Sequence, residues 1–239
     1  MDKSSVAGIH AFIISWTGKH EQALAIGQAI RGRVENLTIV YSDNDPDLRL
    51  TATNIALDLV PNAWFWGKKF EHCIHRSNEA ITLVIHADTT CDDWSLLVER
   101  ARKAFSAIPH IGVYAPLIDY TYWDLGKVEL GLLSNRDYSV VVQTDGIVFA
   151  MSRAVKERLR RLKYDDNIYG WGIDWAMVSY CYANGMIAIV DKAVKVDHPL
   201  GTGYDQETAK NQEIEFTRQL DFQEQIQHRL LNAYCLSRC

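Results

Sequence analysis

The sequence predicts an α/β protein whose mixed, mainly parallel sheet is flanked by helices. Short apolar runs bounded by turn residues alternate along the chain with longer stretches of helical periodicity. Strands and helices that alternate in this order form right-handed βαβ units, which build parallel sheets. The 239 residues, 48% of them hydrophobic and 23% charged, are long enough for one large domain of this class.

Unbroken apolar runs predict the strands. HAFIISW and NLTIVYS come first, and AITLVIH, IGVYAPL, VVVQTDGIVFAMS and MIAIVDKAVKVD follow the same pattern. Each run is bounded by turn residues, as expected for strands that are joined by loops and helices. The predicted strands are residues 10–16, 36–42, 80–86, 111–117, 140–152 and 186–197.

The stretches between these strands carry apolar residues at helical spacing. Asp92 and Asp93 stand before one of them, WSLLVERARKAF, where they can cap the helix and favour its dipole. The tail from about residue 206 to residue 234 is expected to be helical throughout. The other predicted helices are residues 20–31, 64–76, 92–107, 153–163 and 173–184.

Acidic residues follow the ends of several predicted strands, and a histidine joins them at the last. In sheets of this class, ligands bind at the carboxyl ends of the strands. A carboxylate at such an end is a hard oxygen ligand suited to Mg²⁺ or Mn²⁺. An ordinary surface or core position is the alternative for the histidine. These strand-end residues are Asp43, Asp45, Asp88, Asp197 and His198.

Two further acids lie in segments that are rich in glycine. YGWGIDWAM places Asp174 at the start of a predicted helix, between Trp171 and Trp175. A carboxylate that is partly desolvated there suits either a helix cap or a general base. Upstream, Asp145 and Gly146 are expected inside the fifth predicted strand, where a glycine commonly marks a bulge or the close approach of a ligand.

Composition and charge exclude several functions. The formal net charge of −5 argues against nonspecific nucleic-acid binding, which needs clustered Lys and Arg. The 5 cysteines lack paired spacing, so we expect neither a disulfide framework nor a four-cysteine zinc site, and a cytoplasmic setting fits best. The first apolar run is too short for a signal peptide or a membrane span, so no transmembrane segment is expected.

Five segments, taken in order, resemble the GT-A glycosyltransferases, which use nucleotide-sugar donors. They are VYSDND, IHAD, TDGIVFAMSR, GWGID and VDHPLGTGY, and the resemblance covers about residues 8–204. GWGID is similar to the GWGxED segment of inverting galactosyltransferase-like enzymes and their family 2 relatives. The resemblance implies a GT-A, Rossmann-like domain over residues 1–204, with residues 205–239 as a helical extension packed on it.

For the metal, the resemblance implies Asp88 and His198 as ligands of Mn²⁺ or Mg²⁺. HAD takes the place of the Asp-X-Asp motif, so Asp88 is its remaining acid and His86 departs from the pattern. His86 can still hydrogen-bond the donor ribose or coordinate the metal. A divalent ion held there would neutralise the charge that develops on the leaving diphosphate.

For the reaction, the resemblance implies a nucleobase contact from Asp43 or Asp45 and a glycine-rich loop at Gly146 near the donor sugar. Asp174 matches the last acid of x-Glu-Asp and would be the general base of an inverting transfer. Ile173 replaces the glutamate and removes a usual acceptor contact. The expected reaction moves a sugar from a nucleotide-diphosphate sugar, with UDP preferred, to the hydroxyl of a saccharide or another acceptor.

Aromatic residues beside these motifs are candidates for acceptor binding. Tyr122 and Trp123 lie in a predicted loop, and Trp171 and Trp175 flank the proposed base. Sugar rings present CH faces that can stack on such side chains. The alternative is that the tryptophans belong to the core and the tyrosines to the rim of the site.

Two other functions remain open. A sugar-nucleotide nucleotidyltransferase would share the sheet and the metal, but it needs a glycine-rich basic phosphate loop, for which SWTGKHEQAL is a poor candidate. A noncatalytic sugar- or nucleotide-binding GT-A homologue would explain His86 and Ile173 together.

The tail carries an apolar stripe, because Phe222, Ile226 and Leu230 recur at helical spacing. We expect this stripe to pack on the preceding domain. A homodimer contact or a peripheral membrane contact is the alternative, and the few basic neighbours weaken the membrane version.

Overall fold

The computed structural model describes residues 7–119, 121–133, 137–199 and 203–238. Its strands are β1 (Ile9–Ser15), β2 (Asn36–Tyr41), β3 (Ala56–Leu59), β4 (Ile81–His86), β5 (Thr90–Cys91), β6 (Ile111–Ile118), β7 (Glu129–Leu132), β8 (Tyr138–Val141), β9 (Val148–Ser152) and β10 (Ile187–Asp197). Its helices are α1 (His20–Ile30), α2 (Trp66–Arg76), α3 (Trp94–Ala107), α4 (Leu125–Val128), α5 (Arg153–Leu159), α6 (Ile173–Ala183), α7 (Gln206–Thr217) and α8 (Phe222–Leu236).

The strands form one mixed sheet in the order β3-β2-β1-β4-β9-β6-β10-β8-β7, and β5 pairs with β10. β3, β2, β1 and β4 are parallel. β9 runs antiparallel between β4 and β6, whereas β10 is parallel to β6. β8 and β7 continue that side in antiparallel pairing. The predicted α/β class is confirmed, and the antiparallel strands lie beyond β4.

Two apolar clusters, one on each face of the sheet, form the core. Phe12 and Ile14 of β1 belong to one cluster and Ile9 and Ile13 to the other, because successive side chains of a strand point to opposite faces. Helices α1 and α3 cover the second face, and α2, α5, α6, α7 and α8 contribute to the first. Burial on both faces explains why the strands read as continuous apolar runs.

The prediction of one continuous strand over residues 140–152 is wrong, because this range contains the end of β8 and all of β9, which are separate strands. The intervening residues 142–147 form a loop, yet Val142 in that loop is only 1% exposed. The apolar pattern therefore continues through a segment that is buried without being a strand. Asp145 and Gly146 lie in this loop and not inside a strand.

Other boundaries differ in smaller ways. Asp93 caps α3 as predicted, since its side chain accepts a hydrogen bond from the Leu96 N–H at 2.9 Å, but Asp92 is not the N-cap residue. The helix predicted at 153–163 ends at Leu159. The short elements β3, β5, β7 and α4 were missed, because two to four residues carry too little periodicity.

The tail consists of two helices, and its predicted apolar stripe is not the buried face. Asp221 starts α8 through a capping box with Glu224. Phe222 is 73% exposed and Leu230 is 60% exposed, so the prediction that the stripe packs on the preceding domain is wrong at these two positions. The buried residues of α8 are Glu224, Leu231 and Cys235. None of the described helices is long and apolar enough to cross a membrane.

A buried ion pair accounts for this orientation of α8. Arg158 on α5 donates from Nε and Nη2 to the two carboxylate oxygens of Glu224, each at 2.6 Å. Glu224 is 0% exposed, and its Oε2 also accepts from the Asp221 N–H at 2.8 Å. An acid at this depth is tolerated because every oxygen has a partner. The pair therefore fixes which face of α8 points inward.

Replacing Glu224 by alanine should lower the free energy of unfolding by about 3–5 kcal/mol, because Arg158 would keep a buried charge without its partner. Urea unfolding of the full chain measures this. Glu215→Ala is the matched control, since the Glu215 and Arg218 side chains are 61% and 67% exposed and such pairs contribute about 0–1 kcal/mol. Equal losses in the two variants would contradict the anchoring role of Glu224.

Candidate active site

The metal-binding residues predicted at separate strand ends meet at one edge of the sheet. His86 ends β4, Asp88 follows two residues later, and His198 follows β10. Strand β5 pairs antiparallel with the end of β10, Thr90 opposite Asp197, and this pairing brings the turn at Asp88 beside His198. One ligand atom from each of His86, Asp88 and His198 lies within 4.8 Å of the others.

The geometry adds His86, predicted as a donor-binding residue, to the candidate metal ligands. His86 Nδ1 is 4.0 Å from Asp88 Oδ1, and His198 Nε2 is 3.6 Å from Asp88 Oδ2. Among the described residues, His86 Nε2 and Asp88 Oδ1 are buried atoms without a hydrogen-bond partner. Burial, with smaller effects of His198 and Lys69, lowers the pKa of His86 to about 3, so its imidazole is neutral and can bind a cation. These donor atoms fit a divalent ion.

Asp174 lies in the first turn of α6. Its Oδ1 accepts from the Trp175 N–H at 2.8 Å, and its Oδ2 accepts from Gln143 Nε2 at 3.2 Å. Burial, followed by the negative charge of Glu213, raises the pKa of Asp174 to about 8. A carboxyl group with this pKa can exchange a proton near neutral pH, as a general base must.

The loop between β8 and β9 joins Asp174 to the metal-binding residues. Gly146 leaves open space, because a Cβ there would meet only the Asp174 Cβ, at 4.0 Å. Burial raises the pKa of Asp145, while the Thr121 hydroxyl, which hydrogen-bonds Asp145, and the nearby His198 lower it. The charge of His198 thus acts on the pKa of Asp145, and the charge of Asp145 raises the pKa of Asp174.

The acids predicted to contact a nucleobase lie at the end of β2. Asp43 Oδ2 is 2.8 Å from His20 Nε2, and His20 Nδ1 is 2.8 Å from Ser15 Oγ. The Asp45 N–H donates to Asp43 Oδ1 at 2.8 Å and, with His20, lowers the pKa of Asp43. Asp45 itself is exposed and accepts from the Asp47 N–H at 2.9 Å. Asp43 is therefore held in place, and Asp45 is the more accessible carboxylate.

Sequence reasoning missed His20 and Lys69, both of which contact the end of β1. Lys69 on α2 is only 3% exposed and donates from Nζ to the Ser15 carbonyl at 2.8 Å. Burial lowers the pKa of Lys69 to about 8. The single available signal was a lysine on the apolar side of an otherwise amphipathic helix, and nothing local pointed to His20.

The predicted aromatic residues divide into two groups. Trp175 is 3% exposed and packs edgewise against Trp123 at 5.3 Å and His228 at 5.1 Å, which is the core position that the sequence left open as the alternative to a sugar platform. Tyr122 is 64% exposed beside Trp123. Trp171 is partly exposed and donates from Nε1 to the hydroxyl of Tyr204 at 2.8 Å, an aromatic partner that sequence reasoning missed.

Two of the cavities that the described residues form lie at opposite ends of the sheet. One of about 220 Å³ adjoins the acids at the carboxyl ends and is lined by Thr121, Trp123, Asp145 and Lys195, among others. The other, of about 370 Å³, lies around His110 at the ends where β4 and β6 begin. The smaller of the two cavities reaches the candidate site through Asp145.

No protein-family model and no curated protein matches the sequence. Solved structures match the fold. GalNAc-T7 with UDP, GalNAc and Mn²⁺ has a TM-score of 0.60 and 11% identity, over 94% of this chain and 50% of that chain. The mannosyltransferase PcManGT from Pyrobaculum calidifontis, with GDP-Man and Mn²⁺, has a TM-score of 0.58 and 12% identity, over 99% and 75%. The chain has the GT-A fold.

Nucleotidyltransferases share this architecture. UDP-glucose pyrophosphorylase complexed with UDP-glucose has a TM-score of 0.53 and 12% identity, over 88% of this chain and 100% of that chain. The present GT-A chain spans half the length of the GalNAc-T7 chain that it matches. At these identities the comparisons establish the GT-A fold alone.

Mn²⁺ should bind the full chain in the absence of nucleotide. His198→Ala should weaken this binding by at least about 10- to 100-fold, which is the loss of affinity caused by removing even an outer-shell partner of a metal ligand. Calorimetry with Mn²⁺ alone measures the affinity. His75→Ala is the control, because His75 is an exposed histidine on α2. Equal Mn²⁺ affinity in both variants would remove His198 from the ligand set.

Proposed function

We propose that this protein is an inverting glycosyltransferase that moves a sugar from a nucleotide-diphosphate sugar to an acceptor hydroxyl in a metal-dependent reaction. The observation that carries the proposal is the convergence of His86, Asp88 and His198 at one sheet edge, where His86 Nε2 and Asp88 Oδ1 are buried without a partner. Asp174 contacts the loop between β8 and β9 that leads to this edge. A strand-end metal site beside a titratable carboxyl group supplies what such a transfer needs.

The donor side is built from strand ends. His86, Asp88 and His198 would hold Mn²⁺ or Mg²⁺, which when bound supplies positive charge to the leaving diphosphate. Asp45, with Asp43 held behind it by His20, is placed to contact the nucleobase of the donor. A UDP-sugar is the preferred donor.

The acceptor side centres on Asp174. Its ionised carboxylate takes the proton of the acceptor hydroxyl as that oxygen attacks the anomeric carbon from the face opposite the diphosphate. The open space over Gly146 leaves room for the donor sugar beside Asp174. Tyr122, Trp123 and Trp171 offer partly exposed rings for a saccharide acceptor.

A sugar-nucleotide nucleotidyltransferase is the second candidate, because UDP-glucose pyrophosphorylase shares the fold. The segment after β1 carries Gly18 and Lys19 in place of a longer glycine-rich basic loop. Pyrophosphate release from a nucleoside triphosphate and a sugar phosphate would favour this second reaction over sugar transfer. A noncatalytic nucleotide-sugar binder would bind the donor with metal yet show neither reaction.

A nucleotide sugar should bind the full chain with Mn²⁺ present and raise its melting temperature by mass action. Asp88→Ala should abolish this shift while the unliganded protein stays folded, because a carboxylate ligand is lost. Asp92→Ala is the matched control, four residues along and exposed to solvent. A thermal screen of UDP-sugars and GDP-sugars, followed by calorimetry with and without EDTA, gives the result. Full binding in EDTA would rule out the metal-dependent reaction.

Asp174→Asn should lower transfer by about 100- to 10,000-fold and leave donor affinity unchanged, because the amide cannot accept the proton. Asn and Asp cap helices about equally well, so a purely structural Asp174 predicts a normal rate. Asp93→Asn, at the N-cap of α3, controls for the loss of a capping charge. In the parent, transfer should rise as pH increases through about 8, because the ionised form of Asp174 is the active one.

A further inference from the structure

Glu213 is an acid on α7 that faces inward although its partner faces outward. Its two carboxylate oxygens are 2.9 and 3.0 Å from Lys210 Nζ. The Lys210 side chain is 57% exposed, but the Glu213 side chain is only 10% exposed. An ion pair formed on the surface would leave both side chains exposed. The position of Glu213 therefore needs an explanation beyond its pair with Lys210.

The surface that Glu213 covers is the turn that begins α6. A Cβ on Gly172 would lie 3.1 Å from Glu213 Cγ and 3.2 Å from Thr217 Cγ2, so a larger residue would have to displace α7. Gly172 has a φ of 88°, in the left-handed region that favours glycine. Asp174 follows two residues later, so the side chain of Glu213 packs on the turn that leads into the candidate base.

Asp174 faces charged groups from several elements. The loop between β8 and β9 contributes Asp145 and the Gln143 amide, and α7 contributes Glu213, whose charge raises the pKa of Asp174 more than Asp145 does. From α8, His228 packs on the neighbouring Trp175, and burial lowers its pKa, so it is neutral near pH 7. The charges that raise the pKa of Asp174 are thus those of Glu213 and Asp145, and Glu213 has the larger effect.

We propose that Glu213 of α7 is a positioning residue for proton transfer at Asp174, because its inward-facing acid packs on the Gly172 turn that leads into Asp174. This inference rests on the proposed function. In that reaction the acceptor O–H proton passes to the Asp174 carboxylate as the new C–O bond forms. The bond to the diphosphate breaks, and its electron pair leaves on the phosphate oxygen.

The two carboxyl groups interact because like charges close together resist simultaneous ionisation. The Lys210 ammonium offsets Glu213 only in part, since it lies on the solvent side, where water screens it. The C-terminal extension, which carries Glu213, thereby sets the pH range in which the base of the preceding domain is available.

The test follows the Asp174 carboxyl resonance by ¹³C NMR in the full chain across a pH titration, with Asp174→Asn to assign it. Glu213→Gln should lower the titration midpoint of Asp174 by roughly one pH unit. Below both midpoints, transfer should rise by up to about tenfold, because more Asp174 is ionised. Glu215→Gln removes the same charge from an exposed position on α7 and should leave the midpoint unchanged.

An unchanged Asp174 midpoint in folded Glu213→Gln overturns the proposal, and so does an equal shift in Glu215→Gln. Should Glu213→Gln fail to fold, Glu213→Ser removes the charge with a smaller side chain, and the same shift is expected. The NMR titration needs no donor. A protein that binds no nucleotide sugar would therefore overturn the proposed function, while the titration would still decide whether Glu213 acts on Asp174.

Discussion

The candidate site depends most on the hydrogen bonds that the buried carboxylate of Asp191 accepts. Asp191 is 0% exposed and accepts from Nε and Nη2 of Arg100 at 2.6 and 2.8 Å and from the Tyr114 hydroxyl at 2.9 Å. It also accepts from the Ala193 N–H at 3.0 Å. β10 changes register against β6 between Asp191 and Lys195, so this carboxylate supports the irregular segment from inside. Beyond it, β10 pairs again with β6 and β5, which brings His198 to Asp88.

The ligand set that this arrangement assembles differs in charge from a pair of carboxylates. Imidazoles bind a metal ion as neutral ligands, so two of them and one carboxylate would contribute a single negative charge, whereas two acids would contribute two. Imidazole nitrogen is a softer ligand than carboxylate oxygen and favours transition ions over Mg²⁺. A metal ion held by His86, Asp88 and His198, as proposed, would therefore favour Mn²⁺ over Mg²⁺ and would keep more of its charge for a diphosphate.

Residues at the ends of long strands could be predicted from the sequence, and residues brought in by distant elements could not. His86, Asp88 and His198 follow strands whose apolar runs are continuous, so the rule for parallel sheets placed them at one edge. The loop that carries Asp145 was hidden, because the residues around it are as buried as a strand. His20 meets Asp43 across 23 residues, a contact for which the sequence contains no local pattern.

The C-terminal helices show why the same residue type can have different consequences. Glu224 and Glu213 are acids on successive helices, and both point into the protein. Glu224 forms a two-fold hydrogen-bonded ion pair with Arg158, whose side chain is 13% exposed. The charge of Glu224 is therefore neutralised by its partner at a depth where water does not screen it. Glu213 meets a lysine in solvent, so part of its charge stays effective toward the interior. The first acid therefore holds the extension in place, and the second can act on Asp174 because the first fixes the helices beside it.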